Sequence, residues 1–151
     1  VHADRLALIR QSYGGFMTLA GLARDPSRWR CGVDLYGMAD LGTFLAETAA
    51  YRRSHRAAEY GAPTADAAAL AALSPLARAG AIEAPVFIAH GLDDPRVRPA
   101  ESRRIASALT ARGAPVEHVE IAGEGHGFTR RTNRIAVYER ILDFLRRCLE
   151  A

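Results

Sequence analysis

The chain has 151 residues, a formal net charge of +3, and 49% hydrophobic against 25% charged residues. These are ordinary globular values, and a chain of this length buries about 70% of the surface its unfolded form exposes. No run approaches the roughly 20 apolar residues that cross a bilayer. All 20 cationic side chains are Arg, spread along the chain with a few short pairs among acids or in helix-like stretches, which reads as solvated helix faces and not as a nucleic-acid surface.

Residues 5–9 form a short apolar run suited to a buried strand. Residues 14–24 carry Phe16, Leu19, Ala20 and Ala23 at helical spacing until Asp25-Pro26 stops them. Residues 31–36 read as a second strand. From about 40 to 60, Phe44, Leu45, Tyr51 and Tyr60 imply a helix, closed by Gly61-Ala62-Pro63, and residues 66–73 add a short Ala-rich helix that ends at Ser74-Pro75. Residues 85–90 are the clearest strand. Residues 99–112 make an amphipathic helix with Pro at its start and Gly113 at its end. Residues 116–121 alternate, as a strand near a sheet edge does, and residues 132–149 give a long C-terminal helix. Strands alternating with helices imply βαβ units: an α/β class, with a mostly parallel sheet of about four strands flanked by helices, in a single domain.

Three segments stand where an apolar run gives way to Gly-rich or polar residues: Gln11-Ser12-Tyr13-Gly14-Gly15, His90-Gly91-Leu92-Asp93-Asp94 and Glu124-Gly125-His126-Gly127-Phe128. Functional residues of parallel sheets sit at the carboxyl ends of the strands, so Ser12, Asp94 and His126 are expected to meet on one face. A serine hydroxyl is a poor nucleophile at neutral pH. It needs an imidazole to take its proton, and a carboxylate to fix that imidazole's tautomer and stabilise its cation. The chain order Ser, Asp, His is that of α/β-hydrolases. Glycines on both sides of His126 point to a tight loop that presents it at a surface, while Asp93-Asp94-Pro95 also suits a plain turn. His90, ending a strand, reads as a structural hydrogen-bonding residue, and Trp29 and Tyr36 read as core. His2, His55 and His118 read as surface or partly buried residues. Cys31 and Cys148 form no CxxC pair, so buried thiols in a reducing, cytoplasmic compartment are the default. No His or Cys spacing suggests a metal site.

Ser12-Tyr13-Gly14-Gly15 resembles the nucleophile segment of the prolyl oligopeptidase family of serine peptidases. Ser74-Pro75, the run from Pro85 to His90-Gly91, and Asp94 with Val97 resemble that family's approach to its acid residue, and Glu124 to Phe128 resembles its histidine loop. The resemblance implies the C-terminal part of an α/β-hydrolase catalytic domain acting on short peptides. It implies Ser12 as nucleophile, His126 as general base and then acid, and Asp94 as its orienter. It further implies the Tyr13 N–H as an oxyanion donor, Arg96 as a contact to a substrate carbonyl, and no cofactor.

Two departures from the family pattern bear on activity. The nucleophile motif G-x-S-x-G has Arg10 in place of its first glycine, at a turn where small flanking residues let strand and helix approach; an Arg there is expected to crowd the turn or push Ser12 aside. The fold also has more strands than this chain supplies. The strand at residues 5–9 is therefore expected to present an open edge, to be covered by a missing N-terminal portion or a second copy. Two other readings stand beside the peptidase: an esterase or lactone hydrolase on the same fold, and a catalytically impaired module acting in binding or assembly.

Overall fold

The computed structural model describes His2 and residues 4–150. Strands β1 (Ala7–Gln11), β2 (Cys31–Leu35), β3 (Val86–Gly91) and β4 (Val116–Ile121) lie side by side in chain order, and every neighbouring pair is parallel. Parallel neighbours need long crossovers. Helix α1 (Tyr13–Arg24) joins β1 to β2. Helices α2 (Leu41–Ala46), α3 (Arg53–Tyr60) and α4 (Ala67–Leu73) lie in the β2–β3 connection. Helix α5 (Ala100–Ala111) joins β3 to β4, and α6 (Arg131–Leu149) follows β4.

The middle strands are buried on both faces, which is why they read as nearly continuous apolar runs, and they divide their side chains by parity. Val86 and Ile88 pack with Leu19 and Leu22 of α1 and with Ile105 and Leu109 of α5. Val33, Leu35, Phe87 and Ala89 face the other way, onto Val137, Ile141 and Phe144 of α6. A third cluster, with Phe16, Met38, Leu41, Phe44 and Val97, gathers side chains that follow the carboxyl ends of β1, β2 and β3. The sheet is thus a layer between α1 and α5 on one side and α6 on the other, and every strand points its carboxyl end the same way.

Three elements differ from expectation. The helix expected over residues 40–60 is broken into α2, a 3-10 turn at Ala50–Arg52 and α3. The Thr48 hydroxyl donates to the Phe44 carbonyl at 2.7 Å, and Arg53 Nε donates to the Thr48 carbonyl at 3.0 Å, so side chains supply bonds that a continuing helix would take from its backbone. The 3-10 helix at Pro75–Ala81 was not anticipated; it seats Ala79 in the core. The first strand is also shifted by two residues, which brings Arg10 and Gln11 into β1 and leaves Ser12 as the first residue beyond it. β4 closes one edge of the sheet, as its alternation implied, and β1 forms the other, with Ile9, Arg10 and Gln11 exposed. Among the described residues, no helix is long and apolar enough to cross a membrane.

Candidate active site

β1 ends at Gln11 and α1 begins at Tyr13, so Ser12 alone turns the chain. It does so at φ +55° and ψ −124°, on the side of the map that residues with a Cβ rarely occupy. Such strain collects at functional sites. Ser12 holds the N-cap position of α1, yet its hydroxyl caps no helical N–H. Its Oγ lies instead 2.8 Å from His126 Nε2. The backbone is pinned meanwhile, with the Ser12 N–H donating to the Leu35 carbonyl at 2.9 Å. Arg10 does not displace this arrangement. Its side chain lies across Gly14, where an added Cβ would come within 2.7 Å of Arg10 Cβ, and the residue remains exposed. The glycine two residues after Ser12 makes the room that the missing glycine before it does not.

His126 reaches Asp94 with its other nitrogen, Nδ1 to Oδ2 at 2.7 Å. An ionised carboxylate can only accept, so Nδ1 carries the proton and Nε2 offers its lone pair to the Ser12 hydroxyl. Asp94 is buried, and its second oxygen, Oδ1, accepts the N–H groups of Arg96 and Val97 at 2.8 and 3.0 Å. Burial pushes the Asp94 carboxyl up, but bonds from His126, His90, Val97 and Arg96 outweigh it and hold the group well below the ordinary carboxylate range. Asp94 is therefore an anion at neutral pH. The side chain of His126 is 11% exposed, so this series opens to solvent at the imidazole and the hydroxyl.

The family profile described as "Prolyl oligopeptidase family" matches residues 1–151. The chain belongs to that family. It is 40% identical to dipeptidyl aminopeptidase BIII of Pseudoxanthomonas mexicana over 97% of this chain and 22% of that protein. It is 33% identical to dipeptidyl peptidase family member 6 of Caenorhabditis elegans over 97% of this chain and 20% of that protein. Its fold superposes with a TM-score of 0.92 on a puromycin-hydrolyzing peptidase of Mycobacterium tuberculosis, at 29% identity, covering 99% of this chain and 22% of the other. The chain thus spans about a fifth of the length of the curated relatives it matches. Its sheet and flanking helices are those of α/β-hydrolase peptidases.

Three further residues of this prolyl oligopeptidase-family chain hold the surroundings of the series in place, in roles that the sequence reading did not give them. Glu124 is fully buried two residues before His126. Its oxygens accept from the Thr129 N–H and hydroxyl, the Arg130 N–H and the Asn133 amide at 2.8 to 3.1 Å. Burial pushes its carboxyl up, yet the bonds from Thr129, Asn133 and Arg130 prevail and bring it down to about 2. The His126 loop is in this way fastened to the start of α6. Tyr36, as expected, is core, but it does more: its hydroxyl donates to Gln11 Oε1 at 2.6 Å, and its ring meets the His126 ring edge-on at 4.9 Å between centroids. Like Ser12 it bears a positive φ, +45°, just past β2. Glu101, wholly buried on α5, accepts the N–H groups of Ala39 and Asp40 at 2.9 and 2.8 Å and so fixes the chain leaving β2.

Tyr13 and Arg96, the other two sequence candidates, lie on the same face. Tyr13 is the first residue of α1, so its N–H belongs to the helix's unsatisfied N-terminal donors and sits one residue from Ser12. Its ring stacks on Phe16 at 5.6 Å and helps line a hollow of 440 Å³ with Met17, Leu41 and Tyr60. Arg96 is exposed on the loop that carries Asp94, in no ion pair among the described residues. Among the described residues no group of three or more His, Cys, Asp or Glu side chains is placed to hold a metal ion.

Proposed function

We propose that this chain is the catalytic part of a serine-type peptidase that cleaves short peptides through an acyl-enzyme. The observation that carries the reading is the hydrogen-bonded series from Ser12 Oγ through both nitrogens of His126 to Asp94 Oδ2, at 2.8 and 2.7 Å. Ser12 Oγ attacks the scissile carbonyl carbon while its proton passes to His126 Nε2, and Asp94 stabilises the resulting imidazolium. The tetrahedral oxyanion takes the Tyr13 N–H. On collapse the C–N bond breaks, and His126 returns the proton to the leaving amine. Water then attacks the Ser12 ester with His126 again as base, releasing a carboxylic acid and restoring the hydroxyl. Arg96 receives a substrate carbonyl, and the 440 Å³ hollow beside Tyr13 supports binding of an apolar side chain.

The names of the two curated relatives, both dipeptidyl peptidases, support a short-peptide substrate. Hydrolysis of blocked dipeptide anilides, set against short acyl esters, tests the reading. Anilide turnover that disappears in Ser12→Ala supports a peptidase. Turnover of esters alone replaces it with the esterase reading.

A further inference from the structure

Asp94 Oδ2 carries a second imidazole. His90 Nε2 stands 3.2 Å from it, while His126 Nδ1 holds the same oxygen at 2.7 Å. His90 is the last residue but one of β3 and is wholly buried. Its Nε2 also lies 3.0 Å from the Val97 carbonyl, and its Nδ1 meets the Ser102 hydroxyl at the start of α5. These partners place a proton on one of its nitrogens. A carbonyl and a carboxylate can only accept, so both demand a proton on Nε2. Nδ1 faces the Ser102 hydroxyl, which can donate to it or accept from it. One proton of the ring therefore sits on Nε2, shared between the Val97 carbonyl and Asp94. The series does not stop at the carboxylate. It runs Ser12, His126, Asp94, His90, Ser102, from the cleft to the helix behind the sheet.

We propose that His90 is a positioning residue for Asp94: its Nε2–H, fixed in direction by the Val97 carbonyl and the Ser102 hydroxyl, sets the aim of the oxygen that faces His126 and draws part of that oxygen's charge. This inference rests on the reading of Ser12, His126 and Asp94 given above. The Nε2–H donor on Oδ2 competes with the His126 Nδ1–H for one acceptor. Removing it lets the carboxylate grip the His126 imidazolium harder and makes His126 more basic. The other ionisable groups that reach His90 are Asp34 on β2 and His118 and Glu120 on β4. Tyr36 packs its ring on both imidazoles. All of these are retained when His90 alone is changed. If His90 merely fills the gap between β3 and α5, its loss weakens the fold and leaves the titration of His126 where it was.

The test is nitrogen-15 NMR of the imidazoles in the whole chain, wild type, His90→Gln and His90→Phe, with the rate of Ser12 labelling by a fluorophosphonate measured alongside. The wild-type spectrum should show His90 protonated at Nε2; a bare Nε2 overturns the proposal without any variant having to fold. In His90→Phe the His126 midpoint should rise by about half a pH unit or more, and labelling should slow by about 10- to 100-fold. In His90→Gln, whose amide restores a donor near Nε2, both should return most of the way. An unmoved His126 midpoint in a folded His90→Phe chain overturns the proposal. A wild type whose Ser12 is not labelled defeats the peptidase reading instead, and the midpoints still report whether His90 acts through Asp94.

Discussion

The carbonyl of Glu124 lies where a Cβ on Gly91 would have to go. Gly91 ends β3, and a side chain there would strike the Glu124 and Gly125 carbonyl oxygens. The bare backbone lets the two loops bond instead, the Asp93 N–H donating to the Glu124 carbonyl at 2.9 Å. The loop that carries Asp94 and the loop that carries His126 are thus held at a fixed separation. In Gly91→Ala the His126 loop must move off, and a displacement of about 1 Å is enough to cost on the order of 100-fold in rate. Labelling of Ser12 by a fluorophosphonate, compared with the thermal midpoint, should show a folded chain whose hydroxyl has lost most of its reactivity. Unchanged labelling would mean that the loops do not depend on this contact.

Arg10 was expected to disturb the turn at Ser12, and its side chain lies over Gly14 instead. Arg10→Gly should therefore change the Ser12 labelling rate by no more than about twofold, the range of a surface substitution. Gly14→Ala should slow it, since the new Cβ falls 2.7 Å from Arg10 Cβ. Joining the two changes should recover much of the loss, because their effects meet at one contact. A large gain from Arg10→Gly alone would show that Arg10 distorts the turn after all.

Asp34 gives the chain a stability that depends on pH. It is wholly buried on β2; Oδ1 accepts the Gly37 N–H at 2.9 Å, and Oδ2 has no partner among the described residues. Burial pushes its carboxyl up to about 7, against the smaller lowering influences of His90 and the Gly37 N–H. Between about pH 4 and pH 7 the folded chain keeps a proton that the unfolded chain has released, so this group's contribution is greatest below pH 4 and falls as pH rises toward 7. Asp34→Asn keeps the acceptor for Gly37 and removes the titration. Urea unfolding at pH 4.5 and pH 7.5 should show the variant gaining on the wild type as pH rises, by a few kcal/mol at about 1.4 kcal/mol per unit. Parallel pH profiles would contradict the assignment.

Much of this architecture is written in local pattern. The run at 85–90 and the amphipathic stretch at 99–112 are legible because burial on two faces and on one face leave different apolar periods. Ser12, Asp94 and His126 are legible because each follows a strand at a glycine-rich or polar break, and parallel strands bring such breaks to one face. What escapes is whatever depends on contacts between distant segments. Glu101 bonds the backbone at Ala39 and Asp40, some sixty residues away in the chain. Glu124 looks like one more loop acid until its partners from Thr129 to Asn133 fold over it. The break between α2 and α3 follows from the hydroxyl of Thr48, a residue whose helical propensity alone gives little warning. Arg10 misleads for a related reason: its cost is set by Gly14, one helical turn further on, and not by the residue itself.

Fluorophosphonate labelling of the chain, with the modified residue located by peptide mass spectrometry, tests most directly whether this site holds an activated nucleophile. The account predicts modification confined to Ser12, and its near-complete loss in His126→Ala, in a folded chain, because His126 Nε2 is the base that the Ser12 hydroxyl meets among the described residues. Labelling of Ser12 that proceeds equally well without His126, or a wild type in which Ser12 stays unmodified, would contradict it.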